Sequence, residues 1–216
     1  MYITKKEIVP LMVVFFMFVA AVSFYKAPCL PSQLPTHWNA NGQIDGYAGK
    51  NFVLFFFPAL TFGLYLLMTF LPLLDPLKKN YKDFALTYFF IRFILVLFFA
   101  FLYFYTLWAA IANPPKINYL IIPFMSLLFI VLGLAMPKIK KNYFVGIRTP
   151  WTLHSETVWN KTHKFGGFTF LAAGIVSFFS IFLGQFSFLF FILAISVGGL
   201  LPVVYSYIAF RNERGR

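Results

Sequence analysis

Polar and apolar positions in this 216-residue chain do not alternate with the short period of a soluble helix or strand. Long, nearly uncharged apolar runs are instead separated by short polar segments. A helix that crosses the hydrocarbon core of a bilayer needs about 20 mostly apolar residues. Six runs reach or approach that length: 7–25, 52–74, 84–112, 119–136, 168–183 and 186–210. The start of the first, preceded by Lys5 and Lys6, looks like a secretory leader. However, Lys26-Ala27-Pro28 is a poor substitute for a small-residue cleavage site, so the run reads as a retained span. The third is long enough to tilt. Only Gly184-Gln185 separates the last two, which predicts a tight helical hairpin; a kink there would reduce the count to five. The expected fold class is an all-α integral membrane protein, a bundle of about six transmembrane helices. Two regions follow: 1–83, with two spans and an outer loop at 26–51, and 84–216, with four spans and an inner loop at 137–167.

Composition supports this. Only 11% of the residues are charged and 61% are hydrophobic, whereas a soluble domain carries about a quarter charged residues. The chain cannot cover its own surface with polar groups, so lipid must replace water over most of it. The 32 phenylalanines suit lipid-facing surface. Cys29 stands alone, so no internal disulfide forms. With no His or carboxylate near it in sequence, it reads as an idle or packed thiol.

The net charge of +12 does not point to nucleic acid, because the cations sit between apolar runs and no basic or aromatic module of sufficient length lies outside the spans. Their distribution sets topology instead. Under the six-span reading, 14 Lys and Arg fall on the side of the two termini and three on the other: Lys26, Lys50 and Lys116. Cations collect on the cytoplasmic side, which predicts a multi-pass cell-membrane protein with both termini in the cytoplasm. Arg211, Arg214 and Arg216 in the tail favour six spans over five.

Two connections exceed simple turns. In the outer loop, Pro28, Pro31 and Pro35 oppose a helix, and Asn41-Gly42 and Asp45-Gly46 are turn signals. Its His37, Trp38 and Tyr47 read either as a compact interfacial loop with belt aromatics or as a recognition surface. In the inner loop, Gly146 and Pro150 break the segment. Ser155 followed by Glu156 signals a helix N-terminus. Val158, Trp159 and Thr162 would share a face of a short helix, and Gly166-Gly167 would separate that helix from the fifth span. The basic run Lys138 to Lys141 would meet anionic headgroups.

These loops carry a resemblance. LPTHWNANGQIDGYAGK resembles the motif of a domain of unknown function, DUF1648, found at the N-terminus of many bacterial membrane proteins. KNYFVGIRTPWTLHSETVWNKTHKFGG resembles the signature of the SdpI family. The resemblance implies an immunity protein that protects a cell from a secreted, membrane-active antimicrobial peptide. It further implies a receptor that, with toxin bound, holds a transcriptional repressor at the membrane. On this chain the outer recognition set would be His37, Trp38, Asn39, Gly42, Asp45, Gly46 and Tyr47. The inner set, facing a cytoplasmic partner, would be Asn142, Gly146, Arg148, Thr149, Pro150, Trp151, Trp159 and His163. The resemblance calls for no cofactor.

A transporter and an intramembrane enzyme are the rival readings. All six acids, Glu7, Asp45, Asp75, Asp83, Glu156 and Glu213, lie at span ends or in loops, which disfavours ion-coupled transport. Arg92 is the one clearly intramembrane charge, and snorkelling to the cytoplasmic side is the simpler account of it. No HExxH, GxSxG or intramembrane acid pair supports catalysis; His154 and His163, nine apart, do not share a helical turn, and a metal held across loops there or at His37 with Asp45 is the minor reading beside polar residues that organise a loop.

Overall fold

The computed structural model describes residues 5–215; Arg216 of the basic tail lies outside them. Helices α1 (Ile8–Tyr25), α2 (Lys50–Phe70), α3 (Ala85–Ile111) and α4 (Asn118–Ala135) form on the first four apolar runs. A short helix α5 (Pro150–His154) precedes α6 (Glu156–Ser180) and α7 (Ser187–Arg214). Residues 156–214 form helix almost without interruption, and most of that length is apolar. As one rod these 59 residues would reach about 90 Å, some three times a hydrocarbon core. The break falls at Gly184, with φ 57° and ψ −120°, inside the 3₁₀ turn Ile181–Phe186. Thr169 of α6 then donates to the Gly198 carbonyl of α7 (2.9 Å), and Phe165 stacks on Tyr205 at 4.4 Å. Among the described residues the fold is thus mainly helical, with six membrane-length helices. At most a third of the most apolar stretch of each is buried, and side chains such as Phe15 and Phe182 are more than half exposed. Lipid is the solvent that makes such a surface favourable.

Two compact units form. Among the described residues, the first comprises 5–70 and 92–120. Its core holds Met17 and Ala21 of α1, Val53 and Leu54 of α2, and Ala100, Tyr103 and Leu107 of α3, with Leu30 and Leu34 between. The second comprises 71–91 and 121–215. It contains α4 beyond residue 120, the 137–167 segment, α6 and α7.

Three expectations need correction. The 26–51 loop folds into an antiparallel hairpin of β1 (Gln33–Trp38) and β2 (Ile44–Gly49), which honours one of its two turn signals. Asn41-Gly42 does lie in its turn, but Asp45-Gly46 lies within β2. The reason is local. Asn39 Oδ1 accepts from the Asn41 and Gln43 amides (2.9 and 3.1 Å), and its backbone carbonyl accepts from the Gly42 amide (2.8 Å), so Asn39 closes the turn and the following residues are free to pair. Gly166-Gly167 does not interrupt a helix either, because α6 runs straight through it. A Cβ on Gly167 would come within 2.9 Å of the Gly133 carbonyl and 2.8 Å of the Pro137 ring. The glycine serves close approach to α4 rather than termination, which the sequence signal does not distinguish. The N-terminus of α6 is where Ser155-Glu156 predicted it, with Ser155 accepting from the Val158 amide. The third correction concerns Arg92 and is described below.

Candidate functional site

Three polar assemblies stand out from an otherwise apolar molecule. The first is the hairpin. Register pairs Gln33 with Gly49, Leu34 with Ala48, Pro35 with Tyr47, His37 with Gly46 and Trp38 with Ile44, with irregularities around His37. Leu34 is fully buried and anchors the hairpin in the first unit. Trp38 is half-buried and lies 5.5 Å from the Tyr105 ring. Gly42 is buried against Lys116 and Asn118, and Asn118 Nδ2 donates to the Ala40 carbonyl (2.8 Å). Lys50 Nζ donates to the Ala27 carbonyl (2.8 Å) at the other end. Fixed this way, the hairpin presents His37, Asp45 and Tyr47 as exposed side chains. His37 Nδ1 and Asp45 Oδ1 are 2.5 Å apart across the strands, which holds both side chains in place. Of the seven outer residues, therefore, three form an exposed face. Trp38, Asn39, Gly42 and Gly46 build its frame.

The second assembly is the 137–167 segment, held by two buried knots. Asn142 is fully buried. Its Oδ1 accepts from the Phe144 and Val145 amides (2.9 and 2.7 Å), and its Nδ2 donates to the Lys140 and Val145 carbonyls (both 2.9 Å). The Tyr81 hydroxyl lies 3.2 Å from that Oδ1 and 3.0 Å from Asp75 Oδ2. Asp75 also accepts from the Leu77 and Tyr143 amides. Burial, and secondarily the bond to Asp75, push the Tyr81 phenol well above its ordinary range, so it stays a proton donor at physiological pH. Asp75 and Tyr81 were not singled out by the sequence reading. The one available signal was an acid directly before a proline at the end of a span.

The second knot joins Trp159, His163 and Gly146. Trp159 and His163 sit one turn apart on α6 and stack at 4.0 Å. Trp159 Nε1 donates to the Ile139 carbonyl (2.8 Å), and His163 Nε2 accepts from the Ile147 amide (3.1 Å). Because Nε2 is an acceptor, the ring is neutral and its Nδ1–H donates to the Trp159 carbonyl (2.8 Å). Gly146 has φ 113°, and a Cβ there would lie 2.4 Å from His163 Nε2. Gly146→Ala therefore combines a disfavoured backbone with a clash. It is expected to lower the melting temperature by several degrees, the shift that about 1–3 kcal/mol of strain gives a chain of this size. An unchanged melting curve would show that the loop is not held against His163.

These knots leave a different set of groups outside. Thr149 caps α5, accepts from the Thr152 amide and donates to Ser206 of α7 (3.0 Å). Pro150 opens α5, and Trp151 is half-buried, with its ring 5.1 Å from that of Tyr207. Arg148 is exposed, and its one hydrogen bond, to the Tyr143 carbonyl (2.8 Å), leaves most of the guanidinium available. Of the eight inner residues, Asn142, Gly146, Thr149, Trp159 and His163 shape the segment. Arg148, Pro150 and Trp151 lie on its surface.

The third assembly corrects the reading of Arg92. It does not snorkel. Arg92 is buried in the first unit, with Nη2 2.7 Å from Glu7 Oε1 and Nη1 2.6 Å from Thr69 Oγ1. The Tyr65 hydroxyl donates to Glu7 Oε2, and the guanidinium lies 5.4 Å from the Tyr65 ring. Snorkelling brings a lone charge to water. Here the carboxylate of Glu7, immediately before α1, neutralises the charge inside, which removes the reason to extend. Glu7 sits at the edge of its span in sequence, so only the folded chain reveals the pairing. Among the described residues no group of three His, Cys, Asp or Glu side chains converges as a metal site would require.

The polar assemblies at the hairpin and the 137–167 segment coincide with what the chain resembles. Residues 138–206 match the SdpI/YfhL protein family, and residues 12–62 match the domain of unknown function DUF1648. The chain is also 26% identical over 212 residues to the immunity protein SdpI of Bacillus subtilis (strain 168), covering 98% of this chain and 99% of that protein. No solved structure matches. With most of the 137–167 segment inside one matched region and the hairpin inside the other, the chain is a helical membrane protein similar to the SdpI/YfhL family over its C-terminal half and to DUF1648 toward its N-terminus.

Proposed function

We propose that this protein is an immunity receptor that binds a secreted, membrane-active peptide toxin without chemical turnover. The observation that carries the reading is similarity to an immunity protein over nearly the whole chain, rather than over one motif. The cation distribution supports a topology with both termini and the 137–167 segment in the cytoplasm, and with the hairpin outside. On that topology the face of His37, Asp45 and Tyr47 meets an arriving peptide, on the rigid frame set by Leu34, Trp38 and Asn39. Arg148 and Trp151 meet a cytoplasmic partner, a transcriptional repressor held at the membrane while toxin is bound. Region 1–83 then senses and region 84–216 reports. The two faces are coupled only insofar as the peptide binds two states of the protein unequally.

The test is survival. The protein is expressed in a sensitive bacterium, which is titrated with a membrane-depolarising peptide toxin. Wild type is expected to raise the inhibitory dose. Tyr47→Ala and Trp38→Ala, at equal membrane levels, are expected to lose at least about tenfold, the effect of about 1.4 kcal/mol of lost binding. Arg148→Ala is expected to keep peptide binding at the cell surface and to lose recruitment of the cytoplasmic partner. No protection by wild type at any dose would remove the immunity reading. Partner recruitment that survives both Arg148→Ala and Trp151→Ala would remove the assignment of the inner face.

A further inference from the structure

Between α6 and α7 the second unit carries a groove of about 420 Å³. Its walls are apolar: Phe168, Ala172 and Val176 on α6 face Ala194, Val197 and Leu201 on α7. Thr169, also in the wall, donates its hydroxyl to the Gly198 carbonyl (2.9 Å), so the groove makes no demand for water or a polar ligand. Phe168, Val197 and Leu201 are each about half exposed or more, so the groove opens sideways from the helix pair rather than inward. Both helices are long and apolar enough to lie within a bilayer, and an open apolar groove there takes up hydrocarbon.

The basic end of α6 says which hydrocarbon. Lys161, Lys164, Phe168, Ala172 and Val176 follow one another at spacings of three and four, so they form a single stripe along α6. Both lysines are exposed and lie one to two turns before the groove begins. Side chains on a helix lean toward its N-terminus, so the two ammonium groups extend away from the groove toward the polar surface. The acids Glu156 and Glu213 do not share this position: Glu156 is more than a turn further back on α6, and Glu213 accepts from Ser155 at the helix start (2.8 Å). Apolar walls with two cations beyond one end match an acyl chain with a negatively charged headgroup.

We propose that this groove is a binding site for one anionic phospholipid, its acyl chain lying along Ala172 and Val197 and its phosphate held by Lys161 and Lys164. The full-length protein is reconstituted in bilayers of equal parts phosphatidylglycerol and phosphatidylcholine with matched chains. It is then extracted in mild detergent, and the lipids retained are weighed by native mass spectrometry. Wild type is expected to retain phosphatidylglycerol preferentially. The double variant Lys161→Gln/Lys164→Gln is expected to lower that preference by about fivefold per lysine, the effect of one basic side chain near an anionic headgroup. Ala172→Phe and Ala194→Phe, which fill the groove, are expected to lower retention of both lipids. Their melting curves serve as the check on folding. Equal retention of the two lipids by wild type overturns the proposal, as does retention indifferent to groove filling in a variant that melts normally. A filled-groove variant that loses a dimer mass while keeping its lipid also overturns it, and assigns the groove to a second copy of the chain.

Discussion

Arg92→Ala is expected to destabilise the purified protein by about 3–5 kcal/mol, the cost of leaving a buried carboxylate without its counter-charge. The carboxylate is Glu7, which Arg92 meets at 2.7 Å in a setting where both side chains are more than nine-tenths buried. Thr69 and Tyr65 do not offset the loss, because Thr69 bonds the arginine and the single Tyr65 proton already points to Glu7. Glu7→Gln leaves the guanidinium buried and should cost a similar amount. The informative variant is the double one, Glu7→Gln with Arg92→Met, which removes both charges at nearly constant volume. Replacing a whole buried pair with neutral groups is often close to neutral in stability. The double variant should therefore melt nearer to wild type than either single variant. Thermal unfolding in detergent of wild type, Glu7→Gln, Arg92→Met and the double variant completes the cycle. If the double loss equals the sum of the single losses, the two residues do not interact and the pairing is wrong.

Asn142→Ala is the second large effect. Its side chain satisfies two backbone amides and two backbone carbonyls of one tight loop, so alanine leaves four main-chain groups to find new partners. Each group left buried and unpaired costs about 1–3 kcal/mol, less where water can enter. The loop is expected to open, with protease cleavage appearing near Tyr143 and Arg148. Asn142→Asp retains the two acceptor bonds and loses the two donor bonds, so it should fall between wild type and alanine. Proteolysis of alanine identical to wild type would show that the loop is held from elsewhere. Asp75 and Tyr81 make a related test through Tyr81→Phe. That variant removes only the hydroxyl shared between Asp75 and Asn142, and it should loosen the same loop to a smaller degree.

Several elements were legible in the residues. The six apolar runs became six membrane-length helices because a bilayer accepts few other backbones: every amide must be satisfied internally. Ser155-Glu156 marked a helix start because capping and the helix dipole act within a single turn. Gly184-Gln185 marked the reversal because a long apolar stretch must break to return. Other elements misled. Asp45-Gly46 has the composition of a turn, yet it became a strand because Asn39 had already closed the hairpin. Gly166-Gly167 has the composition of a helix break, yet it is a helix surface pared down for close contact, Gly166 with Met136 and Ile147 and Gly167 with Gly133 and Pro137.

The candidate residues divide on the same line. His37 with Asp45, eight positions apart, and Trp159 with His163, four apart, are near in sequence and could be noticed together. Their roles could not, since exposure separates an available face from a structural knot. The sequence by itself determined that the chain is a helical membrane protein, roughly where each helix lies, and which two loops are chemically unusual. These follow from local hydrophobicity and charge, which the solvent reads residue by residue. Only the tertiary structure decided that Glu7 neutralises Arg92 across 85 positions, that Asp75 and Tyr81 brace Asn142, and that Arg148 stays outside while His163 is sealed in. Such pairings depend on which helix faces meet, and that is settled by packing over the whole chain rather than by any one stretch of it.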